Sequence, residues 1–259
     1  MVALAAGLDK ADNLDRLCGA IDSAADAGAE LVVAPEASMA DFGPPALPLA
    51  DVAERLDGPF VRGIAEVAKR RGVTVVAGMF EIGDGHLVYN TVVAVGPAGA
   101  LRGTYRKQHL FDALGWMESD RLLPGKPEDR LVFSCGGLRV GVMTCYDVRF
   151  PELARALVDD GAQLIVIPSA WVAGPNKLAQ WRTLTTARAI ENVCYVAGAV
   201  QTPPMYTGGS IVVDPWGEIL ASLETEDGFA IADVTTKRVK ECRDKMPSLA
   251  NRRWKVEPL

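Results

Sequence analysis

Three side chains that could take part in nucleophilic chemistry each come directly after an apolar run of the sequence. Glu36 follows LVVAP, Lys107 follows LRGTYR and Cys145 follows LRVGVMT. In layered α/β proteins, groups just past the carboxyl ends of strands meet in one crevice. Burial of such ionisable or nucleophilic groups is unfavourable unless each meets a partner, so we expect the three to lie together, where they could satisfy one another.

Each of these residues has an ordinary structural interpretation when it is considered alone. Cys145 could be an inert buried thiol, Glu36 a helix-capping or ion-paired carboxylate, and Lys107 a charge at the end of a hairpin. The surroundings of the cysteine favour chemistry, because it ends a strand just before a helix that begins near Pro151. Amide donors and a helix N-terminus at that position predict a lowered thiol pKa.

Composition limits the classes of function open to the chain. A formal charge of −6 over 259 residues argues against a nucleic-acid-binding surface. Five cysteines without a CxxC pair fit neither a disulfide framework nor a structural zinc site, and they predict a reducing, cytoplasmic location. The opening MVALAAGL is too short for a signal peptide or a membrane span, and it is predicted to be a first buried strand.

The elements that must position the three residues alternate along the first half of the chain. Apolar spacing predicts a helix from Ala11 to Gly28, a buried strand from Leu31 to Pro35 and a helix from Pro59 to Arg71. A strand from Val73 to Phe80 follows, and an antiparallel hairpin is predicted around the turn from Pro97 to Ala100. These elements predict a mixed sheet in a layered α/β fold.

The second half repeats this order loosely, and two similar halves predict a two-sheet sandwich. Its predicted elements are strands at RLVFSC and LRVGVMTC, a helix from near Pro151, a strand at QLIVIPSA, a helix from about Pro175 to Asn192, strands at VCYVAGAVQ, GGSIVVDP and GEILASL, and a helix near Thr235 to Asp244. No linker divides the chain. Residues 1–259 are therefore predicted to form a single domain, with 245–259 as a C-terminal tail.

The motifs and their order resemble the nitrilase superfamily of carbon-nitrogen hydrolases. LVVAPEA resembles its glutamate motif, YRKQHLFD its lysine motif and GVMTCYDVRFPEL its cysteine motif, with further matches at SAW, ARAIEN and GGSIVVDPWGEIL. The resemblance implies a four-layer α-β-β-α sandwich with two mixed sheets. It also implies a homodimer or higher homo-oligomer that uses helices after the nucleophile and the C-terminal tail.

The resemblance implies a role for each polar residue of the site. Cys145 would be the nucleophile, and Glu36 would accept and return its proton. Lys107 and the backbone N–H of Tyr146 would hold the oxyanion, and Glu118 would help to position Lys107. The resemblance therefore implies an amidase that forms a thioester intermediate and releases ammonia and a carboxylic acid.

The letters CYDVRFPEL are most similar to the branch that contains omega-amidase and deaminated-glutathione amidase. That likeness implies a small amide substrate that carries a carboxylate. Arg149 is the expected partner of this carboxylate, and an internal ion pair with Asp147 or Glu152 is an equal alternative. Trp171 is expected to line the substrate pocket.

No metal and no cofactor are expected, because His86 and His109 are the only histidines and neither lies in a metal-type cluster. The expected partner is a small-molecule amide, with neither nucleic acid nor membrane. Three alternatives remain open. His109 could pair with Cys145 as in papain-type hydrolases, the same triad could act on a nitrile or an N-carbamoyl group, or the fold could be a non-catalytic scaffold.

Overall fold

The computed structural model describes residues 1–259 as five α-helices and fifteen strands. The helices are α1 (Lys10–Asp26), α2 (Pro59–Arg71), α3 (Pro151–Asp159), α4 (Lys177–Asn192) and α5 (Thr236–Lys245). The strands are β1 (Val2–Ala3), β2 (Leu31–Val33), β3 (Thr74–Ile82), β4 (Val88–Val95), β5 (Leu101–Arg106), β6 (Asp112–Ala113), β7 (Trp116–Met117), β8 (Leu122–Leu123), β9 (Val132–Cys135), β10 (Leu138–Val142), β11 (Leu164–Ser169), β12 (Tyr195–Val200), β13 (Ser210–Val213), β14 (Ile219–Leu223) and β15 (Gly228–Phe229). Short 3₁₀ helices cover Leu49–Asp51, Glu118–Asp120 and Cys145–Arg149.

The first sheet has the strand order β2-β3-β4-β5, and β8 pairs with one end of β4. Strands β2 and β3 are parallel, whereas β3, β4 and β5 are antiparallel neighbours. The predicted hairpin is confirmed, because Val93 on β4 pairs with Thr104 on β5. Helices α1 and α2 pack against each other and against this sheet.

The second sheet has the strand order β14-β13-β12-β11-β10-β9. Its central strands β10, β11 and β12 are parallel, and its outer neighbours are antiparallel. Helices α3 and α4 pack against it through β10, β12 and β13. Both sheets are therefore mixed, and both carry two helices on one face.

Apolar side chains fill both faces of the first sheet. On β3, Val75 and Ala77 belong to the core that includes the apolar residues of α1 and α2. Val76, which lies between them, belongs to the core shared with the second sheet. Because successive side chains of a strand point to opposite faces, a strand covered on both sides needs a continuous apolar run. The layers are helix, sheet, sheet and helix, which confirms the predicted α-β-β-α sandwich with two mixed sheets.

Several predicted elements are shorter than the sequence indicated, and the hydrogen bonds and backbone angles explain two of them. The first strand covers only Val2–Ala3 and pairs with β15, because the backbone N–H groups of Ala5 and Ala6 donate to side chains of Asp227 and Gln201 instead of to a strand. The helix predicted from Pro175 begins at Lys177, because Asn176 has a left-handed backbone with φ 59°. The prediction of α2 from Pro59 to Arg71 is confirmed, and Gly72 ends it at φ 68°.

A close approach between the backbone of β3 and the segment after β2 positions Glu36. The chain that leaves β2 crosses β3 at Gly78, whose N–H donates to the carbonyl of Pro35 at 3.2 Å. A Cβ atom at Gly78 would lie 2.7 Å from the Cα of Glu36 and 2.7 Å from the N of Ala37. Only glycine therefore allows the Glu36 segment to lie this close to the sheet.

We predict that Gly78→Ala lowers the free energy of unfolding by about 1–3 kcal/mol, because the new methyl group displaces buried backbone. Gly19→Ala is the matched control, since a Cβ at Gly19 in α1 meets nothing within 4 Å. That control should stabilise the protein by about 0.5–1 kcal/mol through helix propensity. Denaturant unfolding of both variants measures the difference, and equal stabilities would contradict the close approach.

Candidate active site

The carboxylate of Glu36 is fully buried between the two sheets and accepts three hydrogen bonds. Its Oε1 accepts from Asn90 Nδ2 at 2.6 Å and from Lys107 Nζ at 3.0 Å, and its Oε2 accepts from the backbone N–H of Ala170 at 2.6 Å. Ala170 follows β11 of the second sheet, so Glu36 connects the two sheets. The backbone is fixed as well, since Gln201 Nε2 donates to the carbonyl of Glu36 at 2.9 Å.

Lys107 follows β5, and its side chain is 1% exposed. Its Nζ donates to Glu36 and also to both carboxylate oxygens of Glu118, each at 2.9 Å. Burial alone would lower the pKa of Lys107, but the carboxylates of Glu118 and Glu36 outweigh it and hold the pKa well above its ordinary value. Lys107 is therefore a fixed ammonium between two carboxylates.

Glu118 lies in the 3₁₀ turn after β7 and reaches the same ammonium from the cavity side. Its Oε2 also accepts from the backbone N–H of Phe111 at 2.7 Å. Burial raises the pKa of Glu118, and Lys107 opposes that increase. The structure thus brings together Glu36, Lys107 and Glu118, three of the residues that the sequence singled out.

Cys145 follows β10 and has a left-handed backbone with φ 46°. Such a backbone is unfavourable for a residue with a Cβ, and strain of this kind often occurs at reactive residues. The prediction of a lowered thiol pKa is wrong, because burial raises the pKa of Cys145 well above its ordinary value, and the Glu36 carboxylate adds to the increase. Lys107 opposes this effect without cancelling it. The thiol therefore needs a base at the moment when it reacts.

Asp147, two residues after Cys145, connects the 3₁₀ turn Cys145–Arg149 to the lysine loop, residues 107–111. Its Oδ2 accepts from Tyr105 Oη at 2.6 Å and from the Thr144 N–H at 2.9 Å. Its Oδ1 accepts from the backbone N–H of His109 at 3.1 Å and lies 2.7 Å from His109 Nδ1. The carboxylate is fully buried. Its hydrogen bonds connect β5, the lysine loop and the turn at Cys145.

A cavity of about 180 Å³ opens beside Cys145. Of the predicted site residues, Cys145, Tyr146, Glu118 and Trp171 line it, as do Phe111 and Trp116. The backbone N–H of Tyr146 donates no hydrogen bond within the chain, so it is free to meet an oxygen of a bound molecule. Glu36 and Lys107 are not part of this lining. They lie behind Cys145 and Glu118, which do line the cavity.

Arg149 and His109 do not line the cavity. Arg149 forms neither of the ion pairs considered from the sequence, and its Nη2 donates to Gln180 Oε1 at 2.7 Å. Its guanidinium lies 4.9 Å from the centre of the Trp171 ring. His109 is occupied by Asp147 and stacks on Phe150 at 3.7 Å between ring centres, so its position does not favour a papain-type pair.

Sequence reasoning did not identify three residues that contribute to this geometry. Asn90 is a lone amide inside the apolar run of β4, and a buried polar group in such a run needs a partner. Asp147 was considered only as a partner of Arg149. Lys177 opens α4, is 5% exposed and lines the cavity, and nothing in the local sequence marks it.

Comparison with known proteins gives the family of the chain. The family model described as carbon-nitrogen hydrolase matches residues 2–244. The chain belongs to the carbon-nitrogen hydrolase family. It is 40% identical to hydrolase Rv0480c of Mycobacterium tuberculosis, over 97% of this chain and 94% of the relative. It is also 36% identical to the omega-amidase NIT2 of Homo sapiens, over 94% of this chain and 90% of the relative.

A solved structure of the same superfamily has the same fold. XC1258 from Xanthomonas campestris, a CN-hydrolase superfamily protein with an arsenic adduct in its active site, superposes with a TM-score of 0.88 at 28% identity. The match covers 100% of this chain and 97% of that chain. The present hydrolase is thus an amidase-type carbon-nitrogen hydrolase. None of its helices is long and apolar enough to span a bilayer.

We predict that His109→Asn changes kcat of this hydrolase by less than about tenfold, because Asn keeps the backbone hydrogen bond to Asp147 and His109 is not the base. Glu36→Gln is the contrasting variant, and it should lower kcat by about 10²–10⁴-fold through loss of the proton acceptor. Ammonia release under saturating amide measures both. A larger loss in His109→Asn than in Glu36→Gln would support the papain-type arrangement instead.

Proposed function

We propose that this hydrolase cleaves the carbon-nitrogen bond of a small, carboxylate-bearing amide through a thioester on Cys145. The observation that carries the proposal is the Glu36 carboxylate, which is buried beside the thiol and held by Lys107, Asn90 and Ala170. An amide is a poor electrophile, so its hydrolysis needs a nucleophile, a base and an oxyanion site together. These three functions are within reach of one another here.

In the proposed first half-reaction, Glu36 takes the proton of the Cys145 thiol as Sγ attacks the amide carbon. Because the thiol pKa is raised by burial, the proton leaves as the new S–C bond forms, and no free thiolate has to persist in the cavity. The carbonyl oxygen becomes an oxyanion. The unpaired N–H of Tyr146 donates to it, and the Lys107 ammonium, whose N–H groups are held by Glu36 and Glu118, stabilises it through its positive charge.

The tetrahedral intermediate then collapses, the C–N bond breaks and Glu36 returns the proton to the departing nitrogen. Ammonia leaves, and the acyl group remains on Cys145 as a thioester. In the second half-reaction Glu36 takes a proton from a water molecule whose oxygen attacks the thioester carbon. The C–S bond breaks, the thiol regains the proton and the carboxylic acid is released.

Glu118 has a positioning role in this proposal. It shares the Lys107 ammonium with Glu36 and is fixed by the Phe111 N–H. Its place in the cavity lining also lets it orient the substrate amide or the attacking water. The mechanism needs no metal or cofactor, and that expectation stays a prediction, as does a cytoplasmic location.

The size of the cavity and the relatives support a small substrate. A volume of about 180 Å³ is below the roughly 300–1,000 Å³ of pockets for drug-sized ligands. The relative from Homo sapiens is named an omega-amidase. Trp171, Phe111 and Tyr146 supply apolar walls for a short acyl chain.

We predict that Cys145→Ala abolishes ammonia release while leaving the fold intact, because only the sulfur can carry the acyl group. Cys135→Ala is the matched control and should retain wild-type activity, since its thiol lies outside the cavity. Rapid quenching and intact-protein mass spectrometry should detect the acyl adduct in wild type alone. Turnover by Cys145→Ala would overturn the mechanism.

We also propose that residues 1–259 form one domain that dimerises through the tail at 245–259 and neighbouring helices. Apolar side chains support this, since Met246 is 50%, Trp254 88% and Ile190 of α4 50% exposed. Exposed apolar groups of this size are typical of protein contacts.

Light scattering should therefore give twice the 27.6 kDa mass of the chain. Trp254→Asp should shift the equilibrium towards the monomer, because a charge would be buried at the contact. Leu114→Asp, which changes a 79% exposed leucine away from the tail, should not shift it. A monodisperse wild-type monomer would contradict the proposal.

A further inference from the structure

One buried cation in the cavity has no function in the mechanism above. Lys177 is the first residue of α4, is only 5% exposed and lines the same cavity as Cys145. Its Nζ lies 4.3 Å from the centre of the Trp171 ring and 5.0 Å from that of Phe111. The Lys177 carbonyl accepts the indole N–H of Trp171 at 2.8 Å, which fixes this arrangement.

The ammonium of Lys177 has no carboxylate partner within the chain. Burial lowers its pKa, a charge on Cys145 would raise it, and the nearby Arg149 lowers it further. Of the three acidic residues that line the cavity, Asp41 and Glu118 are already engaged, by Tyr206 at 2.6 Å and by Lys107 at 2.9 Å, and Asp120 is exposed and forms no ion pair with Lys177. Aromatic faces compensate a buried ammonium only in part. Lys177 is therefore placed to gain most from an anion that enters the cavity.

Two further features make this end of the cavity positive. Arg149 approaches the same Trp171 ring at 4.9 Å, so both cations lie against one indole. Helix α4 begins with no side chain capping it and no acidic residue in its first turn, so the positive end of its dipole is not neutralised. A carboxylate would meet favourable charge here from all three sources.

We propose that Lys177 binds the carboxylate of the substrate while Cys145 attacks its amide carbon, and that Lys177, more than Arg149, selects anionic amides. The inference rests on the proposed amidase function and names the residue that sets its specificity. Arg149 has a subordinate part, because it lies outside the cavity lining and is held by Gln180. Cys145 and Lys177 line one cavity, so an amide carbon at the thiol and a carboxylate at the ammonium can belong to one bound molecule.

The test compares succinamate with butyramide, which replaces its carboxylate by a methyl group. Lys177→Met keeps an unbranched chain against the two rings but removes the charge. It should lower kcat/KM for succinamate by about tenfold to a hundredfold, chiefly through KM, and that for butyramide far less. Lys177→Arg should recover much of the succinamate activity. Lys237→Met, which changes a lysine with an 85% exposed side chain on α5, is the matched control and should change neither rate.

A binding measurement separates this inference from the proposed function. In a Cys145→Ala background, calorimetry should show that succinamate binds and that adding Lys177→Met weakens its binding about tenfold or more. Wild type that hydrolyses neither amide would count against the proposed function while this binding result still decides the role of Lys177. Equal losses for both amides, equal binding with and without Lys177, or a greater loss from Arg149→Met than from Lys177→Met would overturn the inference.

Discussion

The site depends on one buried ammonium, that of Lys107. Its Nζ contacts Glu36 at 3.0 Å and Glu118 at 2.9 Å, and its side chain is almost inaccessible to water. Carboxylates this deep in a protein are unfavourable unless a cation and hydrogen bonds compensate them. Removing one member of such a cluster leaves an unpaired buried charge, which costs about 3–5 kcal/mol. Lys107 thus fixes both the position and the environment of the Glu36 carboxylate.

Much of the surrounding backbone serves to bring these charges together. Glu36 lies close to β3 only because position 78 is glycine, and Ala37 after it has a left-handed backbone at φ 55°. Cys145 has a similar backbone, and Asp147 ties its turn to the lysine loop through two contacts with His109 and to β5 through one with Tyr105. Unfavourable backbone of this kind persists because the buried hydrogen bonds around it leave no better arrangement.

The two buried lysines of the site differ in what surrounds them. Lys107 lies between two carboxylates, which raise its pKa, whereas Lys177 lies between two aromatic rings and its pKa is lowered by burial. The first environment holds a permanent cation next to the reacting atoms. The second environment gives Lys177 no carboxylate partner, so an anion that pairs with it must come from outside the chain. In the proposed mechanism the first lysine serves the chemical step, and the second the recognition of the substrate.

Local patterns were sufficient for those features that depend on neighbours in the chain. The periodicity and flanking Pro59 and Gly72 determined α2, and the motifs around Glu36, Lys107 and Cys145 indicated the family and hence the sandwich. What only the tertiary structure decided involves residues far apart in sequence, such as Asn90 beside Glu36 and Lys177 beside Phe111. The thiol pKa of Cys145 belongs to this group as well, because it is set by burial and by a carboxylate 109 positions earlier in the chain. Periodicity reports which face of an element is apolar, but the depth at which a charge lies, and the partner it meets there, depend on how the two sheets pack.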